Sequence, residues 1–334
     1  MKRIISVILV LVMLTGIIGT LAGCGNAGGS DKLSIITTIF PEYDWVKQIM
    51  GESAEDADIT LLLDNGVDLH NYQPTAADII KISECDMFIY VGGESDGWVD
   101  DVLANATNKD MIVINLLEVL GEDIVKEEEI IDGMEHEEDH EDEDHEDEDH
   151  DHEHTHADDE HVWLSLKNAK LICSHIAEKI GVIDPGHKDT YNTNLTAYLE
   201  KLDLLDGEYR GAVEASAKNT LLFGDRFPFR YLVEDYNLEY YAAFSGCSSE
   251  SEASFETIAF LSGKVDELGL GVVLTIDGVN HKIAETVISN TTEKNARILS
   301  MNSMQSVTSA DVKNGVSYLS LMEENLNVLK EALK

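Results

Sequence analysis

The stretch that decides the fold is residues 188–217, KDTYNTNLTAYLEKLDLLDGEYRGAVEASA. Its large apolar side chains recur at steps of four and three residues, which places them on one face of a helix. They are Tyr191, Leu195, Tyr198, Leu202, Leu205 and Tyr209. A helix of about 30 residues would be roughly 45 Å long, although Gly207 and Gly211 weaken its last third. Such a length suits a rigid spine that crosses between two lobes better than an element inside one lobe.

The chain before the spine alternates between two periodicities. Short apolar runs rich in β-branched residues are typical of buried parallel strands, and they occupy residues 33–39, 59–63, 87–91 and 111–115. Helical patterns follow these runs or lie between them, at 43–50, 75–83, 97–106 and 164–180. Strands and helices in alternation predict crossover connections and a parallel sheet.

A second alternating set follows the spine. It predicts strands at 220–224, 239–244, 271–276 and 297–301, and helices at 229–236, 255–268, 281–290 and 310–333. We therefore predict an α/β fold of two lobes, each a parallel sheet flanked by helices, joined by one long rigid spine helix. The predicted boundaries are 32–186 for the N-terminal lobe, 187–217 for the spine and 218–334 for the C-terminal lobe.

The N-terminus has the pattern of a secretory signal. Lys2 and Arg3 precede an apolar run that is short and glycine-interrupted for a membrane span, and the run ends in Leu21-Ala22-Gly23-Cys24. A Cys after Leu-Ala-Gly resembles the bacterial lipobox, in which the Cys becomes the lipidated first residue. We interpret residues 1–23 as a lipoprotein signal peptide and the Gly/Ser-rich residues 24–31 as a flexible tether. A plain signal peptide or an anchor helix is the alternative.

Residues 127–160 form an acidic His-rich loop, with 21 acidic residues, seven histidines and no Lys or Arg. Its acidic residues supply about half of the formal net charge of −42. Self-repulsion and few apolar side chains predict a solvated, disordered segment. Imidazoles interleaved with carboxylates suit a transition metal such as Zn²⁺, which favours low-affinity metal binding over an acidic solubility spacer. The histidines are His136, His140, His145, His150, His152, His154 and His156.

Charge and cysteine usage exclude other classes. The acidity and the lack of a basic stripe argue against nucleic acid as a partner. Cys85, Cys173 and Cys247 are widely spaced and form no CxxC pair, so we predict buried thiols rather than a structural zinc site. One disulfide between two of them, or a zinc-binding thiolate at Cys247, is the alternative.

We place two histidines outside the acidic loop in loops at predicted strand ends. His70 follows the strand at 59–63, and His161 stands where the acidic loop ends and a helix begins. Open α/β sheets hold ligands at such positions. Either histidine alone would be interpreted as a surface or hydrogen-bonded residue. A binding role for them is indicated only in combination with the lipobox and the acidic loop.

That pattern resembles the zinc- and manganese-binding lipoproteins that serve as substrate-binding components of bacterial ABC transporters. The resemblance covers nearly all of the chain after the signal. It rests on Cys24, Leu69-His70-Asn71-Tyr72-Gln73-Pro74, the loop ending at His161-Val162-Trp163-Leu164, the spine, and a second lobe containing Glu252-Ala253-Ser254 and Tyr318–Leu326. It implies two α/β lobes with a metal site in the cleft between them. Such proteins usually take two His ligands from the N-terminal lobe and two ligands from the other lobe.

The resemblance carries over unequally to this chain. His70 and His161 match the first pair of ligands. The third ligand falls on Asp225 or Arg226, of which only Asp225 can bind a cation, and the fourth falls on Asn302 instead of a carboxylate. Asp277 and His281, after the strand at 271–276, are reserve candidates.

Ligand type separates the candidate metals. A Mn²⁺ site favours oxygen ligands and two carboxylates, whereas Zn²⁺ tolerates nitrogen-rich four-coordinate sites. Two histidines, one carboxylate and the His-rich loop favour Zn²⁺. Mn²⁺ stays open as the alternative, and imidazole also suits Ni²⁺ and Cu²⁺.

The resemblance implies capture and delivery of a metal without covalent chemistry. We expect a monomer, held on the outer face of the bacterial cell membrane by the lipid on Cys24, that delivers Zn²⁺ to an ABC permease with its ATPase. A surface adhesin or passive metal sponge is the alternative. A metalloenzyme is disfavoured, because closely spaced histidines such as His152, His154 and His156 lie in the solvated acidic loop, whereas catalysis depends on rigidly placed groups.

Overall fold

The computed structural model describes residues 32–122, 126, 131–135, 158–246, 248, 252–278 and 280–334. The predicted signal peptide (1–23), the tether (24–31) with Cys24, and Cys247 lie outside the described residues. The seven histidines at 136–156 also lie outside them. The described residues from Ser34 onward belong to one compact unit.

The described residues form two four-stranded parallel sheets. The first contains β1 (Ser34–Thr37), β2 (Asp58–Leu61), β3 (Met87–Tyr90) and β4 (Ile112–Asn115), in the order β2-β1-β3-β4. The second contains β5 (Thr220–Phe227), β6 (Glu239–Ser245), β7 (Val272–Ile276) and β8 (Arg297–Met301), in the order β6-β5-β7-β8. Each sheet therefore places its own second strand at one edge and its own first strand beside it, so the two lobes repeat one topology.

Helices flank both sheets. In the first half they are α1 (Phe40–Met50), α2 (Ala76–Glu84), α3 (Val99–Ala104), α4 (Leu116–Leu120) and α5 (Leu166–Ile183). After the spine helix, α6 (Lys188–Glu214), come α7 (Arg230–Tyr236), α8 (Phe255–Leu268), α9 (Lys282–Asn290), α10 (Ser309–Lys313) and α11 (Tyr318–Ala332). The sheets, the flanking helices and the long helix between them confirm the predicted fold class. In the described part of the chain, none of these helices combines the length and apolar character that a bilayer span needs.

The spine helix is held through its predicted apolar face. Tyr191, Tyr198, Leu202, Leu205 and Tyr209 are buried, whereas Leu195 is half-buried. The helix runs through Gly207 and Gly211, because packing of this face outweighs the poor helix propensity of glycine.

The last helix departs from the sequence prediction of one helix over 310–333. The structure has two helices, α10 and α11, separated near Gly315, whose φ of 90° lies in the left-handed region that glycine favours. Ser317 then caps α11 by accepting a hydrogen bond from the backbone N–H of Ser320. The break lets α11 return to the first lobe, where the backbone N–H of Tyr318 donates to the buried carboxylate of Asp44.

Candidate metal centre

His70 sits in a short turn beyond the carboxyl end of β2. The turn, Leu69–Asn71, is a single 3-10 turn, and Asp68 caps it by accepting the backbone N–H of His70 at 3.1 Å. Leu69 is buried and anchors the turn. The sequence Asp-Leu-His thus fixes the position of the His70 ring, because Asp68 caps the turn and the buried Leu69 holds the turn against the core.

His161 is fixed by the apolar residues that follow it. Val162, Trp163 and Leu164 are fully buried, and the indole N–H of Trp163 donates to the backbone oxygen of Ser303 in the second lobe at 2.9 Å. His161 itself is fully buried, and a Cβ at Gly246, just after β6, would lie 2.9 Å from Cε1 of its ring. Both lobes therefore close around His161.

The two histidine rings meet through their Nε2 atoms, which are 3.2 Å apart. Two nitrogen ligands of a tetrahedral zinc ion, each about 2.0–2.1 Å from the metal, lie roughly 3.3–3.4 Å from each other. The pair therefore has nearly the separation that two ligands of one zinc ion require.

The opposite ring nitrogens have different partners. Nδ1 of His161 lies 2.9 Å from Oδ1 of Asp159, and that oxygen also accepts the backbone N–H of His161. Nδ1 of His70 lies 2.8 Å from the Ser95 hydroxyl and 3.4 Å from Oε2 of Glu160. These three side chains, of which Asp159 and Glu160 are buried, hold both rings with Nε2 facing Nε2.

Burial sets the protonation of the site. Burial and then the neighbouring His161 lower the pKa of His70 to about 4, against the opposing effect of Asp68. His70 is therefore a neutral imidazole at pH 7, as a metal ligand must be. Burial also raises the pKa of Glu160, although hydrogen bonds from Ser95 act against that shift.

An ion pair links the His70 turn to the second lobe. Arg226 in β5 donates to Oδ2 of Asp68 at 2.8 Å, and both side chains are less than 20% exposed. Burial raises the pKa of Asp68, but the charges of Arg226 and His70 outweigh it, so the net shift is downward. The side chain from the second lobe that reaches this turn is thus a cation.

Asp225 and Asn302, the second-lobe candidates, have their oxygens in use. The Asp225 carboxylate accepts the backbone N–H groups of Arg226 at 2.8 Å and of Ile276 at 3.1 Å, and burial raises its pKa. Oδ1 of Asn302 accepts the backbone N–H of Met304 at 2.8 Å. Either residue would have to give up a backbone hydrogen bond in order to bind a metal.

The reserve candidates differ from each other. Asp277 accepts the backbone N–H of Ser303 at 2.5 Å and the hydroxyl of Ser306. Nδ1 of His281 is buried and has no hydrogen-bond partner among the described residues. Within those residues, no group of three or more His, Cys, Asp or Glu side chains is arranged to hold a metal ion. The structure brings together His70 and His161, and it does not bring a second-lobe candidate into a cluster with them.

Two predicted thiols are confirmed as buried and free. Cys85 and Cys173 form no disulfide, and burial raises the pKa of Cys85 to about 12 and that of Cys173 well above its usual range. Neither belongs to a group of three or more potential metal ligands among the described residues.

Sequence reasoning missed the residues that support the histidines. Asp159 and Glu160 directly precede His161, but they were indistinguishable from the other acidic residues of the loop. Asp68 and Ser95 carried no signal of their own, since Asp68 contacts Arg226 across 158 residues of chain and Ser95 contacts His70 across 25.

Comparison with known proteins gives three consistent matches. A family model described as "ZnuA: Zinc-uptake complex component A periplasmic" matches residues 35–332. The chain is 31% identical over 312 residues to the zinc-binding lipoprotein AdcA of Streptococcus pneumoniae, covering 93% of this chain but 58% of AdcA. It is 31% identical over 319 residues to the high-affinity zinc uptake system protein ZnuA of Bacillus subtilis, covering 93% of each.

A solved structure agrees with these matches. The Zn(II)-bound ZnuA-like domain of Streptococcus pneumoniae AdcA has a TM-score of 0.68 and 27% identity to this chain. The match covers 90% of this chain and 99% of that domain. The likeness thus extends over both lobes, while this chain spans little more than half the length of full AdcA.

Proposed function

The chain belongs to the zinc-uptake complex component A family, and on this premise we propose that it captures Zn²⁺ outside the cytoplasm and delivers it to an ABC permease for import. The observation that carries the proposal is the 3.2 Å separation of the two Nε2 atoms of His70 and His161. The zinc named for AdcA and for the ZnuA of Bacillus subtilis supports the same metal.

We propose His70 and His161 as the two ligands from the first lobe. Asp225 and Asn302 remain the candidates from the second lobe, with Asp277 and His281 in reserve. Because Asp225 and Asn302 already bind backbone N–H groups, their contribution to affinity should be smaller than that of the histidines. His281 would lose no such bond at its buried Nδ1.

Zn²⁺ is favoured over Mn²⁺ by the donor atoms that the described residues offer. Both preassembled donors are imidazole nitrogens, which suit Zn²⁺, whereas Mn²⁺ prefers carboxylate, carbonyl and water oxygens. The positive charge of Arg226 beside the His70 turn repels any cation. It therefore further disfavours Mn²⁺, whose binding depends more on charge neutralisation by carboxylates.

The remaining parts of the proposal come from the sequence. The lipid on Cys24 would hold a monomer on the outer face of the membrane, next to the permease and its ATPase. The seven loop histidines would bind zinc weakly and raise its concentration near the cleft. His161, the first histidine after that loop, would then belong to the high-affinity site.

Metal analysis of protein purified without a chelator tests the proposal. We expect zinc in excess of manganese, nickel and copper, and loss of tightly bound zinc in His70→Ala but not in His187→Ala, whose histidine is exposed on the surface. Tightly bound manganese in place of zinc, or zinc retained in His70→Ala, would contradict the proposal. A passive sponge would give the second of these outcomes.

X-ray absorption at the zinc edge identifies the donor atoms. Nitrogen and oxygen at about 2.0–2.2 Å support the proposed ligands. A sulfur atom at about 2.3 Å would instead assign the third ligand to Cys247.

A further inference from the structure

Both ends of the acidic His-rich loop are tied to one hydroxyl of the second lobe. Lys126 directly precedes this loop, and Asp159 is its penultimate residue. The backbone N–H of Lys126 donates to the Tyr231 hydroxyl at 3.1 Å, and that hydroxyl donates to the backbone oxygen of Asp159 at 2.8 Å. Tyr231 lies in α7, so two residues that are 105 and 72 positions away in the chain meet at its side chain.

A third hydrogen bond closes this arrangement. The backbone N–H of Asp159 donates to the backbone oxygen of Lys126 at 2.6 Å. Lys126, Asp159 and Tyr231 therefore form a closed ring of hydrogen bonds, which we call the loop clasp. Hydrogen bonds in such a connected network strengthen one another where water is scarce, so the clasp holds the base of the loop more firmly than one contact would.

The hydroxyl of Tyr231 is the buried part of the clasp. The side chain is only 4% exposed, and Asp159 is buried beside it. Burial raises the pKa of Tyr231, so its hydroxyl keeps its proton and stays a donor at neutral pH. Lys126 also pairs with Glu234 of α7 at 3.2 Å, but both side chains are about 40% exposed and such a pair contributes little. The clasp therefore depends mainly on Tyr231.

The clasp reaches the zinc site through Asp159. Oδ1 of Asp159 lies 2.9 Å from Nδ1 of His161 and also accepts the backbone N–H of His161 at 2.9 Å. This carboxylate can hold the ring only while the Asp159 backbone is itself fixed. The clasp uses both the N–H and the C=O of that backbone. A side chain of the second lobe thus restrains a proposed ligand of the first.

Residues 131–135 attach the loop to the second lobe at a separate place. The backbone N–H of Glu135 donates to the backbone oxygen of Ala243 in β6 at 2.9 Å. A Cβ at Gly133 would lie 2.1 Å from the ring of Phe260 in α8, so the chain passes closely over that ring. Because this contact is formed by β6 and α8, it offers a control for attachment of the loop in general.

We propose that Tyr231 is a positioning residue of the zinc site: its hydroxyl fixes the backbone of Asp159, and through Asp159 it keeps His161 in the orientation that binds zinc. The inference rests on the proposed function, because it concerns a ligand of the same site. Loss of the hydroxyl should let His161 move, so zinc should bind more weakly and dissociate faster.

Tyr231→Phe removes the hydroxyl and keeps the ring. Competition with a fluorescent chelator should show zinc binding weakened by roughly 10-fold, the lower end of the range for outer-shell partners, because Tyr231 is one contact further from the metal than Asp159. Tyr209→Phe is the matched control, since Tyr209 is also buried and its hydroxyl donates to the backbone oxygen of Met322 at 2.7 Å. This control should leave the zinc affinity unchanged within about twofold, because it disrupts a different network.

A double-mutant cycle with Asp159→Ala separates positioning from a general effect on the fold. Asp159→Ala keeps the backbone oxygen that Tyr231 binds but removes the carboxylate that holds the His161 ring. Tyr231→Phe should then weaken zinc binding no further, whereas a general effect on the fold would add to the loss from Asp159→Ala. Gly133→Val, which loosens the loop at α8, should leave the zinc affinity unchanged.

Three results would overturn the role of Tyr231: equal affinity in Tyr231→Phe and Tyr209→Phe, additive losses in the cycle, or an equal loss in Gly133→Val. Each of them leaves the proposed function standing, provided that the unaltered protein binds zinc tightly and His70→Ala does not. If that condition fails, the proposed function is overturned and the role of Tyr231 with it.

Discussion

The carboxyl ends of the two sheets differ, although the sheets share one topology. Beyond the first sheet, His70 and His161 face each other at 3.2 Å, and their outer ring nitrogens are held by other side chains. In the second lobe, the oxygens of Asp225, near the end of β5, and of Asn302, directly after β8, accept backbone N–H groups. The first-lobe half of the candidate site is assembled, whereas the polar atoms of the second-lobe half form hydrogen bonds that stabilise the fold.

Two lobes with the same topology can therefore contribute unequally to metal binding. A ligand whose partners leave its lone pair free binds at little cost, whereas one that must give up a buried hydrogen bond loses about 1–3 kcal/mol first. We therefore expect the zinc affinity to depend mainly on residues of the first lobe.

The largest expected effect is the contrast between His161→Ala and Asp225→Ala. His161→Ala should weaken zinc binding by more than about 100-fold, beyond the range of outer-shell substitutions. Asp225→Ala should weaken it by less than about 10-fold but lower the free energy of unfolding by about 1–3 kcal/mol, because buried backbone N–H groups lose their acceptor. Competition with a fluorescent chelator and urea denaturation measure the two quantities. Equal losses of affinity in the two variants would show that the two lobes contribute equally to zinc binding.

A middle-sized effect is expected for the ion pair that joins the lobes. Arg226→Met removes the partner of the mostly buried Asp68 and should lower the free energy of unfolding by about 1.5–3 kcal/mol. The control is Arg210→Met in the spine, whose more exposed pair with Asp206 should contribute about 0–1 kcal/mol. Urea denaturation compares them, and equal values would mean that Arg226 does not hold the His70 turn.

The smallest effect concerns pH. An ordinary histidine with a pKa near 6.5 loses metal as the pH falls through about 6. The pKa of His70 is lowered to about 4 by burial, so protons compete for it only at lower pH. In a variant lacking residues 136–157, competition of protons for His70 should therefore lower the affinity for zinc by less than about 10-fold between pH 7 and pH 5.5. Chelator competition at both pH values checks this, and a steeper loss would show that His70 titrates as an exposed histidine.

The sequence predicted the architecture well because periodicity reports burial directly. The strand at 297–301 and the helix at 255–268 match the structure residue for residue. The spine was predictable because its tyrosines and leucines keep a helical spacing that survives Gly207 and Gly211. The break at Gly315 was not predictable. One glycine in a helical pattern indicates only a lower helix propensity, whereas the return of α11 to Asp44 depends on contacts between residues far apart in the chain.

The candidate site was only half predictable. His70 and His161 stood out as histidines in loops, and their pairing across 91 residues of chain was implied by the family resemblance. The partners of their rings were not predictable, because Asp159 and Glu160 are the last two acidic residues of the acidic loop and nothing in the sequence distinguishes them from the others. The second-lobe candidates came from a resemblance that this chain does not fully match, with Asp225 or Arg226 at the third ligand position and Asn302 in place of a carboxylate at the fourth.

The central claim is that the high-affinity zinc site lies at His70 and His161 rather than in the acidic loop. Zinc titration against a competing chelator tests it most directly, using the protein without residues 136–157 and the same protein carrying His70→Ala and His161→Ala. We predict that the deletion alone keeps one tightly bound zinc per molecule and that the double substitution abolishes it. Loss of tight binding on deletion of the loop, or its survival in the double variant, would contradict the account.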